Sequence, residues 1–230
     1  MSKKDNAELT KKLFDDIKKM PYYRNYAATS GAVHNTSKHE DAIKDIFIKN
    51  GINEFQKPKG ITKEIIWSWI NSPSLASMPQ MTFISQPCGT HDNPDFIVKI
   101  EGNIVFGLEC KSSDQTKYPM YNSGGLTQNY IYVYCCAATN QTTIYLGKDI
   151  VTLEQQKLID EHIENSRKQD QILNQKLKLL DTNHRGVCYY SRPMICQSGG
   201  AEFTDYFNHE KRVQCEENVI KFVENMCKNL

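Results

Sequence analysis

Apolar positions in the first part of the chain recur at the three- and four-residue spacing of amphipathic helices. This spacing predicts three helices, over Ala7–Met20, Lys38–Asn50 and Thr62–Ile70. Gly51 stops the second helix, and Ser37 or Thr36 is its expected N-cap. Pro21 ends the first helix, so the residues before position 38 are predicted to contain one helix only.

The glutamate in the first turn of the second predicted helix lies on an unexpected side. Glu40 is three residues before Ile43 and seven before Phe47, so helical geometry directs it with the apolar stripe. A first-turn carboxylate is also favoured by the helix dipole, and an ordinary structural role therefore stays open. The alternative is a carboxylate that reaches a functional site.

From residue 81 onward the apolar pattern alternates with the period of two that is typical of strands. Five strands are predicted, at Met81–Gln86, Asp95–Ile100, Ile104–Lys111, Tyr130–Ala137 and Thr142–Leu146. A long polar helix follows over Thr152–Leu180, and a break into two helices at Glu164–Asp170 stays open. The tail from Tyr206 to Lys228 is predicted to be helical again.

This order of elements predicts a single α/β domain over residues 1–230, with a mixed central β-sheet flanked by helices. Within it we expect N-terminal helices over 1–75, a sheet core over 80–150 and a C-terminal helical region over 151–230. A chain with 39% hydrophobic and 24% charged residues can bury a sizeable core. These proportions are typical of a globular protein.

The two central strands form a hairpin whose register follows from the apolar pattern. A three-residue turn at 101–103 lets Phe96 face Leu108 on an apolar side and places Asp95 directly opposite Glu109. A two-residue turn would put Phe96 against Glu109 and would mix charged and apolar residues on both faces. The pattern therefore predicts the register that brings the two carboxylates together.

Two opposed carboxylates repel each other unless a cation neutralises them. Lys111 is two residues beyond Glu109 and should emerge from the same face of the strand. A hard divalent cation such as Mg²⁺ beside an ammonium group is what phosphodiester hydrolysis requires. Gly107 is expected to leave room for a phosphate. An exposed hairpin with a Glu–Lys pair on its wet face is the structural alternative.

Charge and cysteine content narrow the function classes. The formal net charge of +1 argues against a globally basic nucleic-acid binder but allows a local basic cleft. The eight cysteines contain no C-x-x-C pair and are expected to be reduced core thiols. No apolar run approaches the roughly 20 residues that span a bilayer, and no signal-peptide pattern follows Met1, so we expect a cytoplasmic protein without membrane contact.

Three segments of this region resemble the PD-(D/E)XK nucleases, and among them the type II restriction endonucleases. They are Gln86–Phe96 (QPCGTHDNPDF), Leu108–Ser113 (LECKSS) and Pro119–Gly124 (PMYNSG). The resemblance implies a restriction-endonuclease-like core and cleavage of double-stranded DNA at a specific sequence, leaving a 5′-phosphate and a 3′-hydroxyl. The helix that this family has between its third and fourth core strands is not evident here, since 112–129 is rich in Gly, Pro and Asn.

The resemblance also implies roles for individual residues. Asp95, Glu109 and the backbone carbonyl of Cys110 would hold Mg²⁺, Lys111 would serve the attacking water, and Glu40 is the candidate for a helix glutamate near the metal. Further residues are expected to contact DNA: Gln86, Ser112, Ser113, Asn122, Arg185 and Arg192. The two arginines flank a predicted strand, and an ordinary surface role stays open for both.

A palindromic target would call for two active sites related by a two-fold axis, and the sequence therefore leads us to expect a homodimer. One rival is a repair or recombination nuclease on the same core that acts on DNA structure instead of sequence. A rival from another class is a non-catalytic DNA-binding or assembly module. Cleavage of DNA of known sequence separates all three.

Overall fold

The computed structural model describes residues 3–30, 38–122, 125–197 and 203–228. Its helices are α1 (Lys3–Lys18), α2 (Tyr23–Ser30), α3 (His39–Lys49), α4 (Lys63–Asn71), α5 (Leu153–Leu180) and α6 (Arg212–Lys228). Its strands are β1 (Asn53–Glu54), β2 (Thr82–Ser85), β3 (Phe96–Lys99), β4 (Val105–Ser113), β5 (Ile131–Cys136) and β6 (Gln141–Leu146). Short 3₁₀ helices occupy Pro73–Leu75 and Gly147–Asp149.

The six strands form one mixed sheet in the order β1-β2-β3-β4-β5-β6. The pairs β1/β2 and β4/β5 are parallel, and the other three are antiparallel. Helices α1, α2, α3 and α6 pack on one face, whereas α4 and the segment around Tyr206 cover the other. The predicted α/β class with a mixed sheet flanked by helices is therefore confirmed.

The register of the β3–β4 hairpin is the predicted one. Phe96 pairs with Leu108 and Lys99 with Val105, and Ile100 donates its N–H to the carbonyl of Ile104 at 3.0 Å. The face of the hairpin that carries Lys99 and Val105 is not solvent-exposed, however, because Val105 is completely buried. Apolar layers on both sides of the sheet thus hold the hairpin and exclude the exposed alternative.

The N-terminal part contains one helix more than predicted. α2 was missed because its sequence, YRNYAATS, has no helical apolar stripe; it is anchored by the buried rings of Tyr23 and Tyr26. α3 closely matches its predicted bounds, with Lys38 at the N-cap and no side-chain cap bond. The proposed caps Thr36 and Ser37 lie outside the described residues.

The C-terminal part departs further from prediction. α5 is continuous over 28 residues with a capping box at Thr152, so the break at Glu164–Asp170 does not occur. The strand expected between Arg185 and Arg192 is absent, because this stretch has no paired strand in the described chain. α6 begins at Arg212 instead of Tyr206. No helix in the described ranges is both long and apolar enough to cross a membrane.

The crossover from β4 to the parallel strand β5 contains no helix in its described parts. Its fixed points are a bridge between Tyr121 and Ile195 and a hydrogen bond of 2.9 Å from the Thr127 N–H to the Tyr132 hydroxyl. An irregular connection therefore replaces the helix that the resemblance implies at this position.

All eight cysteines are free thiols. The expectation of core thiols is confirmed for five of them, which are buried: Cys110, Cys135, Cys136, Cys215 and Cys227. It is wrong for Cys188 and Cys196, which are exposed on the segment after α5, and Cys88 is intermediate. Cys188 lies in the stretch where the expected strand does not form.

Candidate active site

A cavity of about 620 Å³ opens at the N-terminal end of β3, where β4 continues beyond its pairing with β3. β4 pairs with β3 only as far as Leu108, so residues 109–113 have an open edge on that side. All but one of the site residues predicted from sequence line this cavity: Glu40, Gln86, Asp95, Glu109, Cys110, Lys111, Ser112, Ser113, Asn122 and Arg192. The exception is Arg185, which lies in the turn after α5.

Asp95 continues the hairpin register by one residue and lies beside Glu109. Its carboxylate accepts hydrogen bonds from the Cys110 N–H at 2.8 Å and from the Gln86 side-chain amide at 2.8 Å. Burial raises the pKa of Asp95, whereas these donors and the ammonium of Lys111 lower it, and burial prevails. The carboxylate is thus held in place by neutral donors without a cation of its own.

Gln86 holds Asp95 through both its backbone and its side chain. Its N–H donates to the Asp95 carbonyl at 2.7 Å, in addition to the amide bond to the carboxylate. The backbone of Gln86 is left-handed, with φ at +47°, a conformation that costs a non-glycine residue roughly 1 kcal/mol. The strained turn therefore fixes both the backbone of Asp95 and its carboxylate.

Glu109 and Lys111 form a buried pair inside the cavity wall. The Lys111 ammonium donates to Glu109 Oε1 at 2.5 Å, and the Asp95 N–H donates to Glu109 Oε2 at 3.0 Å. Burial raises the pKa of Glu109 to about 8, against the opposing effect of Lys111. Burial lowers the pKa of Lys111, but Glu109 outweighs it and the pKa is raised. Lys111 therefore remains cationic.

Glu40 enters the same cavity from α3. Desolvation raises the pKa of its carboxyl, and the charge of Asp95 raises it further. This electrostatic influence indicates that the two carboxylates share one environment. The expectation that helical geometry directs Glu40 towards the sheet is confirmed, because it lines the cavity and is only partly exposed.

His39, next to Glu40, is a cavity residue that the sequence did not single out. It is 4% exposed, stacks on Tyr23 with ring centroids 5.7 Å apart, and lies near Lys111. Neither ring nitrogen has a hydrogen-bond partner of good geometry in the described chain. Burial and the charge of Lys111 lower its pKa to about 3, so the ring is neutral at neutral pH. The only available signal was its position beside Glu40.

Gly107 does not face the cavity, contrary to expectation. A side chain at this position would meet the side chains of Ile70 at 3.0 Å, Pro94 at 3.2 Å and Tyr130 at 3.2 Å. The glycine therefore makes room for close packing between β4, α4 and the residue before Asp95. It leaves no space there for a phosphate.

The oxygen donors fit a hydrated Mg²⁺ ion better than a fully protein-bound metal. No group of three His, Cys, Asp or Glu side chains in the described ranges is arranged to hold a metal. Mg²⁺ usually keeps several waters and binds through one or two carboxylates. The carboxylates of Asp95 and Glu109 each accept two hydrogen bonds and retain unused lone pairs.

A backbone oxygen completes this donor set. In a strand the N–H and C=O of one residue point to the same side. Because the Cys110 N–H points to Asp95, the Cys110 carbonyl faces the same open edge. The donor set is thus two carboxylates and one backbone carbonyl, and Glu40 lines the same cavity.

The remaining predicted residues differ in their surroundings. The Ser113 hydroxyl is bonded to Tyr134 at 2.6 Å, so it is already occupied. Arg192 donates from Nε to the Asn122 carbonyl at 2.6 Å, which fixes the guanidinium at the rim of the cavity. Ser112 is exposed on the same rim.

The cavity thus combines two adjacent carboxylates, a buried ammonium and an arginine at its entrance. Comparison of the chain with known protein families, with curated proteins and with solved structures found no match.

Proposed function

We propose that this protein is a magnesium-dependent endodeoxyribonuclease, built on a restriction-endonuclease-like core, that cuts double-stranded DNA at a specific sequence. The observation that carries the proposal is the Asp95–Glu109–Lys111 cluster at the open edge of β4, with Lys111 Nζ 2.5 Å from Glu109. A hairpin serving stability alone would not need two carboxylates and an ammonium withdrawn from water, since such burial costs several kcal/mol per ion.

Each residue has a distinct task in this proposal. Asp95, Glu109 and the Cys110 carbonyl would hold Mg²⁺, which when bound would polarise the phosphate as a Lewis acid and lower the pKa of water. Gln86 keeps the Asp95 carboxylate in its orientation. Lys111 orients the attacking water and offsets the negative charge that develops on the phosphate. In-line attack by this water forms a new phosphorus–oxygen bond and breaks the bond to the 3′-oxygen. The water gives up a proton to solvent and the 3′-oxygen takes one up, which leaves a 5′-phosphate and a 3′-hydroxyl.

Cleavage of both strands of a palindromic DNA target also implies how the protein assembles. A sequence-specific cut in both strands of a palindrome needs two copies of this cavity related by a two-fold axis. We therefore propose a homodimer as the active form. Sedimentation of the protein alone and on DNA measures this, and a strictly monomeric mass in both states would contradict it.

Digestion of DNA of known sequence with Mg²⁺, followed by mapping of the ends, tests the proposed activity. Discrete fragments with 5′-phosphate ends at one sequence are the expected result. Cutting only at branched or single-stranded positions would replace the proposal with the structure-specific nuclease. Binding without cutting in Mg²⁺ or Mn²⁺ would point to the non-catalytic module.

Magnesium binding is expected to depend on pH because of Glu109. Its pKa of about 8 means that the metal-free site holds a proton at neutral pH, and a bound cation must displace it. The Kd for Mg²⁺ should therefore fall about tenfold per pH unit up to roughly pH 7.5 and level off above about pH 8. Titration calorimetry in buffers of different ionisation enthalpy measures both Kd and the protons released.

Glu109→Gln is the matched control for this pH dependence, since the amide cannot titrate. It should bind Mg²⁺ weakly, and without a pH slope between pH 6 and 8. A parent Kd that stays constant over the same range would contradict Glu109 as the titrating ligand.

Asp95→Asn is expected to separate metal binding from folding. The Asn oxygen can accept from the Cys110 N–H, and its amide can donate to Gln86 once the Gln86 amide turns over. In chelator above about pH 8, where Glu109 is ionised, the variant should be as stable as the parent or more so, because one of two neighbouring negative charges is removed. Mg²⁺ at about ten times its Kd should stabilise the parent by about 1.4 kcal/mol.

Thermal melts of parent and Asp95→Asn, each with chelator and with Mg²⁺, give the four values needed. The variant should lose most of the magnesium-dependent shift in Tm. Equal shifts for both proteins would argue against Asp95 as a ligand.

A further inference from the structure

Helix α5 and the segment 181–197 that runs back along it form an arm. None of the 28 residues of α5 is buried, and at 1.5 Å per residue the helix is about 42 Å long. The returning segment is fastened to it by two hydrogen bonds between Asn174 and the backbone of Tyr189, at 2.6 and 2.8 Å, and by bonds from Ser191 to Asp170. The arm is therefore defined in shape although it adds little to the core.

The distal arm, residues 165–197, is strongly basic. It has two carboxylates and six cations: Arg167, Lys168, Lys176, Lys178, Arg185 and Arg192. Its net charge is therefore +4, whereas the whole chain carries +1. The local basic surface that the overall composition left open is thus found on this arm.

Folding uses the carboxylates of the distal arm but not most of its cations. Asp170 accepts from the Ser191 N–H at 3.1 Å, and Asp181 accepts from the backbone of Arg185 at 2.9 Å and of Gly186 at 2.7 Å. Within the distal arm, four exposed cations have no ion-pair partner among the described residues: Arg167, Lys176, Lys178 and Arg185. Stability of the arm therefore does not account for them.

One part of the distal arm, at Arg192, lies at the rim of the candidate active site. Arg192 lines the active-site cavity, and with Asp92 it also lines an adjoining groove of about 250 Å³. Arg167 and the exposed Tyr189 and Tyr190 line the same groove. A ligand that enters the active site can thus extend along the arm.

We propose that the distal arm binds the sugar-phosphate backbone of duplex DNA beside the site of cleavage. This inference rests on the proposed function and adds where the substrate is held. Unpaired Arg and Lys side chains supply phosphate contacts, and tyrosine hydroxyls supply further donors. The exposed Leu179 and Leu180 could instead suit a second copy of the chain. A two-fold contact would, however, oppose two surfaces of +4 charge, and a polyanion avoids that repulsion.

Binding of a fluorescent 30-base-pair duplex in Ca²⁺, measured across a series of salt concentrations, tests the inference without requiring cleavage. The test variant changes Arg167, Lys176, Lys178 and Arg185 to Gln. The matched control changes four exposed lysines to Gln: Lys11 on α1, Lys19 directly after that helix, and Lys221 and Lys228 on α6. Both remove the same charge from exposed helical or turn positions.

The arm variant should bind at least tenfold more weakly near 150 mM salt. Its slope of log K against log salt should become shallower by about 2 to 4, since each phosphate contact contributes about 0.9. The control should stay close to the parent. Equal weakening of both variants would overturn the inference, because it would make the effect one of total charge. Unchanged binding by the arm variant would overturn it as well.

Two further measurements separate this inference from the proposed function. A parent that binds the duplex with the expected arm dependence but never cuts it in Mg²⁺ would refute the nuclease and leave the arm assignment supported. A parent that cuts normally while the arm variant binds as tightly would refute the arm alone. If the arm variant loses self-association in sedimentation and keeps its salt slope, the surface belongs to a second copy and the inference is wrong.

Discussion

Asp95→Ala, Glu109→Ala and Lys111→Ala are each expected to reduce DNA cleavage by about 10³-fold or more. The loss of one carboxylate proposed to hold the metal, or of the buried ammonium, should remove several kcal/mol of transition-state stabilisation, and each 1.36 kcal/mol is a factor of ten in rate. Single-turnover cleavage of a duplex with mapped ends measures the chemical step directly. Glu40→Ala should slow cleavage less, because Glu40 is proposed to lie outside the central Asp95–Glu109 pair.

DNA binding and DNA cleavage should respond differently to these substitutions, and the difference tests the role proposed for Lys111. Lys111→Ala should still bind duplex DNA in Ca²⁺, since its task is in the chemical step. Glu217→Ala on α6 is a suitable control, because it removes an exposed carboxylate far from the cavity in sequence and on another element. Cleavage near the parent rate by any of the first three variants would refute the assignment of the site.

The register of the β3–β4 hairpin could be predicted from sequence because the alternative registers place different residues on the apolar face. A shift of one residue in the turn would move Phe96 against Glu109 and spoil both faces, so only one register keeps the apolar side uniform. The pairing of Asp95 and Glu109 therefore followed from the same pattern that forms the core. Periodicity also predicted α3, and with it the approach of Glu40.

What the sequence did not reveal depends on contacts between distant segments. The neutral His39 is buried against Tyr23 of α2, a helix without an apolar stripe, so neither its burial nor its place in the cavity had a local signal. The same holds for Gly107, whose neighbours Ile70 and Tyr130 come from other elements. The space beside Gly107 is filled because α4 packs on the sheet there, and the sequence pattern does not show this contact.

The returning segment of the arm illustrates a second limit. Its residues 187–190 are rich in β-formers and were predicted as a strand, but they find no strand to pair with. They are held instead by side chains of α5, such as Asn174 bonded to Tyr189 across fifteen positions. Hydrogen bonds of this kind produce no periodic pattern in the sequence. The basic residues of the arm, in contrast, can be counted in the sequence directly.

Lys111→Met is expected to destabilise the metal-free protein by about 3–5 kcal/mol at high pH, since breaking a buried pair leaves an uncompensated charge. In the parent, burial raises the pKa of Glu109 to about 8, above its unfolded value. Between those two values the folded state holds a proton that the unfolded state lacks, so the contribution of Glu109 to stability falls as pH rises through this window. Without Lys111 the pKa is raised further and the loss continues to higher pH.

The deficit of Lys111→Met should therefore be small near pH 5.5, where Glu109 is neutral in the folded protein, and several kcal/mol near pH 8.5. Urea unfolding in chelator at both values measures it. The double variant Glu109→Gln/Lys111→Met removes both charges and should recover most of the stability, which makes the two substitutions strongly non-additive. An equal deficit at both pH values, or additive effects in the double variant, would show that Lys111 and Glu109 do not act as a buried pair.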